Sequence, residues 1–300
     1  NIYIIFISVQ FKNYCKGKTE LIDRKIIITK DNVKLQVIDI GNGQPVILLH
    51  GFSQTAEMFK YQIEAFKSKY RVIAYDMRGH GLSEKPDYGY RISRLAGDLN
   101  DLINSMRLQN VILLGHSMGC AVIWSYIDLF GHENLSKLIF VDQQASMTIN
   151  PAWSKEEKEI SGATLTHDLL YAVSNAFSGE NAVDISKKFI RGRFTAGIDE
   201  KTMDWVIEQN LQLPREYAGK LLLNHMSQDW RDVIKRINIP TLIITGLASD
   251  KSIKSQKWIK DCIPQSELVV FSKEESGSHF MFIENAEKFN NEVISFIDSK

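Results

Sequence analysis

The 300-residue sequence is 44% hydrophobic and 24% charged, a composition typical of a folded globular protein. Its 36 basic and 36 acidic residues cancel, so neither nucleic acid nor an anionic membrane surface is an expected partner. The three cysteines, Cys15, Cys120 and Cys262, are widely spaced and form no metal-binding pattern and no disulfide framework. This cysteine usage favours a reducing, cytoplasmic location, although an exported form stays open.

Residues 1–24 are predicted to be an N-terminal extension, either disordered or the remnant of an export signal. Residues 1–11 are mostly apolar, but they are too few to span a bilayer, which takes about 20 residues. No basic stretch precedes them and no small-residue cleavage site follows them. We therefore expect this segment to be poorly anchored, and we expect no stable membrane span.

From residue 25 onward, short apolar runs alternate with amphipathic helical patterns. The first two runs, separated by Lys30-Asp31-Asn32, predict an antiparallel hairpin, and later runs predict strands buried on both faces. The predicted strands are residues 26–29, 33–40, 46–49, 71–75, 111–114, 138–141, 241–245 and 268–271, and the predicted helices between them are residues 56–67, 91–107, 120–127 and 285–297. This alternation predicts an α/β fold with a mostly parallel, twisted sheet and helices on both faces.

Residues 144–230 interrupt this alternation, because they show helical patterns and no strand signal. Ser154-Lys155-Glu156-Glu157 has the pattern of a capping box at the start of a helix. Most aromatic residues of the segment are expected to form its own core and a minority to line a pocket. These aromatic residues are Trp153, Tyr171, Phe177, Phe189, Phe194, Trp205 and Tyr217. We interpret residues 144–230 as a helical cap inserted into a core formed by residues 25–143 and 231–300.

A G-x-S-x-G motif, Gly115 to Gly119, joins the predicted strand 111–114 directly to a helix. In this context Ser117 is expected to occupy a strained turn, with its hydroxyl above the carboxyl edge of the sheet. The two glycines are expected where the strand and the helix approach each other closely. The motif alone is weak evidence, since it also occurs by chance in such segments. Its meaning depends on whether a base, an acid and oxyanion-hole donors lie near Ser117.

A serine hydroxyl becomes an effective nucleophile when a histidine accepts its proton and a carboxylate orients that histidine. Among the seven histidines, His279 lies in a loop between the last predicted strand and the last predicted helix. Such a loop can bring an imidazole over Ser117. By their sequence pattern, His132, His167 and His225 are expected on cap or helix surfaces, and the side chain of His116 is expected to point away from the serine. His279 is therefore the predicted base.

Two carboxylates follow predicted strands and are candidates for the acid. Asp250 closes a G-x-x-x-D turn after residues 241–245, which gives the chain order nucleophile, acid, base. Asp142 directly follows residues 138–141 and is the alternative, its other expected role being to hold loop backbone. Asp250 is preferred because its loop lies nearer to His279 in the sequence.

An oxyanion hole requires two backbone N–H groups directed at the negative charge that develops on the substrate. One is expected from Met118, the residue after the nucleophile. The other is expected from Phe52, in the loop His50-Gly51-Phe52 that follows an early buried strand. Because both donate through the backbone, their side chains are free to shape a pocket.

With these residues in place, the chain resembles the α/β-hydrolase superfamily over about residues 26–297. The resemblance rests on HGF at 50–52, DMRGHGLS at 76–83, GHSMG at 115–119, GLASD at 246–250 and GSH at 277–279. Within the superfamily it is most similar to small capped serine esterases and non-haem haloperoxidase-like enzymes. This implies Ser117 as nucleophile, Asp250 as acid and His279 as base, with no metal and no organic cofactor. The serine departs from epoxide hydrolases and haloalkane dehalogenases, which have Asp there.

Three functional hypotheses follow. The first is a serine hydrolase that cleaves a small, largely apolar carboxylic ester through an acyl-enzyme. The second keeps the same three catalytic residues, Ser117, Asp250 and His279, but has them act on another bond: a lactone, an amide or a carbon–carbon bond beside a ketone. The same residues could also use peroxide in perhydrolysis. The third is a sensor that binds or slowly turns over a small apolar ligand. The natural substrate and the oligomeric state stay open at this point.

Overall fold

The computed structural model describes residues 24–299 and one two-residue strand before them, β1 (Ile4–Ile5). β1 pairs antiparallel with the strand that begins at Arg24, with Ile4 opposite Ile27. This part of the predicted extension therefore joins the sheet. The expectation for the rest of residues 1–24 lies outside the described residues. In the described part, no helix combines the length and the apolar composition needed to cross a membrane.

The described strands form one nine-stranded sheet. After β1 they are β2 (Arg24–Ile28), β3 (Lys34–Ile40), β4 (Pro45–Leu49), β5 (Arg71–Tyr75), β6 (Val111–His116), β7 (Leu135–Val141), β8 (Thr241–Gly246) and β9 (Ser266–Phe271). Their order is β1-β2-β3-β5-β4-β6-β7-β8-β9. The pairs that involve β1 to β3 are antiparallel, and every pair among β4 to β9 is parallel. The predicted α/β fold with a mostly parallel sheet is confirmed.

Helices cover both faces of this sheet. In chain order they are α1 (Lys60–Phe66), which continues a 3-10 turn at Ala56–Phe59, α2 (Ile92–Ser105), α3 (Met118–Phe130), α4 (Lys155–Ser161), α5 (His167–Ala176), α6 (Ala182–Arg191), α7 (Glu200–Asn210), α8 (Arg215–Met226), α9 (Arg231–Ile234), α10 (Ile253–Cys262), α11 (Met281–Glu284) and α12 (Ala286–Asp298). The sequence did not predict α10, whose mixed polar composition hides its buried Ile259. The four-residue helices α9 and α11 were not predicted either, whereas α1, α2, α3 and α12 begin and end close to the predicted positions.

Successive residues of the central strands face opposite sides of the sheet, which explains their continuous apolar runs. Ile47 of β4 and Leu113 of β6 pack with α2 and α3, whereas Leu48 and Leu114 pack on the opposite side with α1 and α12. β4 pairs with β5 on one side and with β6 on the other, so the direction of sheet growth reverses there. In open α/β sheets, ligands bind beyond the strand ends at such a reversal. The end of β6 leads directly into Ser117.

Helices α4 to α8 lie between β7 and β8 in the sequence, in the segment interpreted as a cap. The predicted capping box is present, since the Ser154 hydroxyl accepts from the amide of Glu157 at 3.1 Å. Several aromatic residues of this segment pack against the core, although Phe177 also contacts Phe189 of the same segment at a ring-centroid distance of 5.2 Å. The contacts with the core are Phe177 with Phe52, Phe194 with Phe280 and Tyr217 with Tyr90, at ring-centroid distances of 5.6, 4.5 and 4.3 Å.

The junction of β6 and α3 has no room for a side chain at residue 119. A Cβ on Gly119 would lie 2.3 Å from the carbonyl oxygen of Leu49 on the neighbouring strand. Real Cβ atoms do not approach backbone oxygens so closely, so an alanine there must displace β4 or α3. The glycine at this position is therefore a packing requirement of the fold.

We expect Gly119→Ala to lower the free energy of unfolding by about 1–3 kcal/mol, the usual cost of overpacking a core. Gly192→Ala is the matched control, because its Cβ would be 3.5 Å from the nearest atom and meets only ordinary van der Waals contact. Chemical denaturation of both variants measures the difference. Equal stability of the two proteins would contradict the close approach of α3 to β4.

Candidate active site

Ser117 lies at the turn between β6 and α3 in a conformation that is unusual for a residue with a side chain. Its φ is 53° and its ψ is −122°, outside the regions that such residues normally adopt. Two hydrogen bonds hold the turn: the Ser117 amide donates to the Val141 carbonyl at 2.9 Å, and the Cys120 amide donates to the Ser117 carbonyl at 2.8 Å. Backbone strain of this kind persists where surrounding structure enforces it, often at functional sites.

His279 lines the same cavity as Ser117 and is hydrogen-bonded to a buried carboxylate. Its Nδ1 lies 2.6 Å from Oδ2 of Asp142, which is fully buried. A carboxylate can only accept here, so Nδ1 carries the proton and Nε2 is left with a free lone pair. This is the tautomer that a general base requires.

The Asp142 carboxylate has three hydrogen-bond donors in fixed positions. Thr245 Oγ1 donates to Oδ1 at 2.7 Å, and Ser249 Oγ donates to Oδ2 at 2.5 Å beside His279. Burial raises the pKa of Asp142, and the positive charge of Lys251 and the two hydroxyl donors oppose that rise. The donors therefore stabilise the ionised form and hold the plane of the carboxylate toward the imidazole.

The structure corrects the predicted acid: the carboxylate bonded to His279 belongs to Asp142 and not to Asp250. Oδ1 of Asp250 lies 2.7 Å from a guanidinium nitrogen of Arg193 and 3.3 Å from Nζ of Lys251. The Asp250 side chain is 54% exposed. Asp142, the alternative candidate from the sequence, is the carboxylate that holds the imidazole of His279.

The turn after β8 explains why Asp250 points outward. The Ala248 amide donates to the Gly277 carbonyl at 2.8 Å, and the Ser249 amide donates to the Gly246 carbonyl at 3.2 Å. The turn therefore closes one residue before Asp250 and directs the Ser249 side chain at the carboxylate of the acid. The G-x-x-x-D spacing shows that a carboxylate follows the strand, but not on which side of the turn it lies.

The sheet register places Ser117 and Asp142 side by side. His116 of β6 pairs with Val141 of β7, so the residues that follow, Ser117 and Asp142, leave adjacent strands at the same level. The Asp142 amide donates to the Ile244 carbonyl of β8 at 2.8 Å, which aligns Thr245 with it. The directly preceding apolar strand was a signal for Asp142, but strand adjacency cannot be read from sequence order.

His225, predicted on a helix surface, is instead buried and lines the cavity. Burial lowers its pKa to about 3, so it is neutral at physiological pH. Among the described residues its Nδ1 has no hydrogen-bond partner. The buried Leu221 and Leu222 lie one turn earlier on α8, and this helical spacing was the available signal. His167 is exposed, in agreement with its predicted surface position, and His132 is half-buried.

His116, inside the G-x-S-x-G motif, supports the loop that carries the base. Its Nε2 donates to the backbone carbonyl of His279 at 2.8 Å, and the two ring centroids are 4.6 Å apart. The sequence analysis predicted only that His116 points away from the serine, and it missed this contact. The hydrogen bond links the nucleophile turn directly to the base loop.

Phe52 and Met118, the predicted oxyanion-hole donors, lie on the two segments that border Ser117. A Cβ built on Gly51 would be 3.1 Å from Cβ of Ser117, so the loop after β4 passes directly beside the nucleophile. Within residues 24–299, the backbone N–H groups of Phe52 and Met118 donate to no protein acceptor. Unpaired buried N–H groups are rare, and they are what an oxyanion hole needs.

The cavity lies between the sheet edge and the cap. The core contributes Ser117, His279 and Lys251 to its wall, and other lining side chains come from the cap: Met147, Phe189, Arg193, Leu222 and His225. Of the cap aromatics considered in the sequence analysis, Phe189 is the one in this wall. Across the described ranges, no group of three or more His, Cys, Asp or Glu side chains is arranged to hold a metal ion.

Comparisons with known proteins agree with this architecture. The family model of the alpha/beta hydrolase fold matches residues 44–286. The AB hydrolase superfamily protein YisY of Bacillus subtilis (strain 168) is 31% identical over 278 residues, which cover 91% of this chain and 98% of that protein. The non-heme chloroperoxidase CPO-A1 of Kitasatospora aureofaciens is 27% identical, over 91% of this chain and 99% of that protein.

A solved structure gives the same result in three dimensions. The esterase EaEST from Exiguobacterium antarcticum superimposes with a TM-score of 0.83 at 29% identity, covering 91% of this chain and 99% of that one. The family match extends over most of the chain and includes the Ser117 turn, Asp142 and His279. The chain therefore belongs to the α/β-hydrolase superfamily of hydrolases, in its haloperoxidase-like group.

Proposed function

We propose that this hydrolase is a serine esterase that cleaves a small carboxylic ester through an acyl-enzyme. The observation that carries the proposal is the hydrogen bond from His279 to the buried Asp142, with His279 and Ser117 lining one cavity. The similarity to EaEST, which is named an esterase, supports the choice of an ester bond. No metal or organic cofactor takes part in the proposed steps.

In the proposed first step, Ser117 Oγ attacks the ester carbonyl while His279 Nε2 accepts its proton. Asp142 holds the imidazole in orientation and balances the positive charge that it acquires. The N–H groups of Phe52 and Met118 stabilise the oxyanion. When the tetrahedral intermediate collapses, the alkoxide leaves with the proton from His279, and the acyl group stays on Ser117.

In the second step, a water molecule attacks the acyl carbonyl and gives its proton to His279. The same two N–H groups stabilise the second oxyanion, and the carboxylic acid leaves as Ser117 recovers its proton. Hydrogen peroxide in place of water would give a peracid by the same steps. The chloroperoxidase name of CPO-A1 favours this as a second activity of the same site. Lactone, amide and carbon–carbon cleavage stay as predictions, as does the sensor hypothesis.

We expect Ser117→Ala to lower kcat for a short-chain p-nitrophenyl ester by about 10⁴-fold or more, because no other group forms the acyl-enzyme. Ser227→Ala, at an exposed serine after α8, is the control and should retain full activity. Intact-mass analysis of the wild-type protein during turnover should show an acyl adduct that Ser117→Ala lacks. Persistent hydrolysis by Ser117→Ala would assign the nucleophile elsewhere.

The acid is tested by the same chemical change at two carboxylates. Asp142→Asn should lower kcat by about 10³–10⁴-fold, because an amide does not fix the required imidazole tautomer. Asp250→Asn leaves the contact between His279 and Asp142 in place and should cost less than about tenfold. Steady-state kinetics with a neutral ester, together with melting curves for both variants, compares them. The reverse order of effects would make Asp250 the acid.

The rate should depend on pH through His279, which accepts the serine proton only when neutral. Burial lowers the pKa of His279 well below the usual 6.5, the charges of Arg193 and Lys251 lower it further, and Asp250 opposes them. Asp142 and His116 also contact the imidazole. Since the neutral form predominates above the pKa, kcat/KM for a neutral ester should stay level above pH 6.5 and fall only in more acidic solution. A midpoint above 6.5 would contradict this prediction.

A further inference from the structure

We propose that the cavity beside Ser117 selects substrates that carry a carboxylate in addition to the ester, and that Arg193 and Lys251 bind this carboxylate. The inference rests on the proposed ester hydrolysis and names its substrate class. It departs from the largely apolar substrate that the sequence predicts. The reason for the difference is the charge of the cavity wall, which only the folded structure shows.

Two cationic side chains line the cavity, and within the described residues no acidic side chain does. Arg193 comes from the cap segment after α6, and Lys251 follows the turn after β8. Lys251 is 7% exposed and lines the cavity, so its side chain is largely shielded from bulk water. Clefts with one sign of charge and low-dielectric walls concentrate ligands of the opposite sign.

Asp250 is the counter-ion that holds the two cations in place. Its Oδ1 alone contacts both the Arg193 guanidinium, at 2.7 Å, and the Lys251 ammonium, at 3.3 Å. Because Asp250 is half-exposed and does not line the cavity, it contacts the pair from the solvent side. The positive charge of Lys251 also stabilises the buried carboxylate of Asp142. On the cavity side, neither cation meets an acidic side chain of the described residues.

The guanidinium of Arg193 is oriented for such a ligand. Its carbon lies 4.5 Å from the centroid of the Phe189 ring, which limits rotation of the planar group. Only one of its nitrogens donates a hydrogen bond to another described residue, the bond to Asp250. A guanidinium has five N–H donors in a fork that matches a carboxylate, so donors stay available. The side chain is therefore pre-positioned for a second carboxylate.

The negative charge of Asp142 does not cancel this preference. Asp142 is fully buried behind the imidazole of His279 and is absent from the cavity wall. Its two oxygens already accept from Thr245, Ser249 and His279. The other polar groups in the wall, including His225 and Gln143, are uncharged at neutral pH. A ligand in the cavity therefore meets two cationic side chains in the wall and no acidic one among the described residues.

The test compares carboxylate and amide forms of the same ester, which are nearly identical in shape. One pair carries the group on the acyl side, monoethyl glutarate and ethyl glutaramate, and the other carries it on the alcohol side, 4-acetoxybutyrate and 4-acetoxybutanamide. In at least one pair, the wild-type kcat/KM should favour the carboxylate by about ten- to hundredfold, the usual effect of a hydrogen bond to a charged group. Equal rates or an amide preference in both pairs would overturn the proposal.

Variants of Arg193 assign the preference to a residue. Arg193→Gln should reduce the carboxylate-to-amide ratio toward one, while Arg193→Lys should retain most of it because the charge stays. Arg191→Gln is the matched control: the residue lies two positions earlier, is exposed, and pairs with Glu200 and Asp204 outside the cavity. An unchanged ratio in Arg193→Gln would overturn the assignment. Rates with the amide esters show whether the triad is intact in each variant.

A binding measurement separates this proposal from the proposed hydrolysis. In Ser117→Ala protein, calorimetry should show that at least one of the two carboxylate esters, monoethyl glutarate or 4-acetoxybutyrate, binds more tightly than the corresponding amide. Adding Arg193→Gln to Ser117→Ala should remove this difference. If no ester is hydrolysed but this difference is seen, ester hydrolysis fails and the carboxylate site stands. If esters are hydrolysed in a Ser117-dependent reaction but carboxylate and amide bind equally, the carboxylate site fails and the esterase stands.

Discussion

The hydrogen bond between His279 and Asp142 is the interaction on which the rest of the site depends. It fixes the proton on Nδ1, and it therefore leaves Nε2 as the nitrogen of His279 that can accept a proton. A buried carboxylate is costly unless its oxygens are satisfied, and here three donors satisfy them: one from the end of β8, one from the turn after it and one from the loop after β9. The cost of burying the charge is offset only while all three donors stay in place. The same arrangement that stabilises the carboxylate therefore also holds the geometry of the base.

The parallel sheet is what makes this arrangement possible. Parallel strands end at the same edge, and the register between β6, β7 and β8 brings Ser117, Asp142 and Thr245 to one level. The base arrives from farther away, in the loop after β9, and needs separate support. His116 supplies it through its hydrogen bond to the His279 carbonyl. The turn that carries Ser117 is therefore tied directly to the loop that carries His279.

The sequence was informative where burial or a close backbone approach decides the structure. It was misleading where the direction of a side chain depends on packing between distant elements. Apolar runs and the G-x-S-x-G motif predicted the strands and the Ser117 turn, because burial and a close approach admit few alternatives there. The choice of Asp250 over Asp142 was wrong because it depends on the exact residue at which the turn after β8 closes. A difference of one residue decides whether Ser249 or Asp250 points inward. The burial of His225 was missed because a single polar residue on a helix does not indicate which other elements will pack over it. Both errors concern side-chain direction, which is set by packing between elements distant in sequence.

Ser249 and Asp250, in the turn after β8, show how one loop can serve two electrostatic purposes. Ser249 points inward and supports the acid, while its neighbour Asp250 points outward and compensates Arg193 and Lys251. Burial lowers the pKa of Lys251, and the neighbouring carboxylates counteract this. Without Asp250, two cations close together would repel each other and one would be displaced from the wall or lose its proton. Asp250, which does not contact the imidazole through a hydrogen bond, therefore helps to keep both cations beside the cavity.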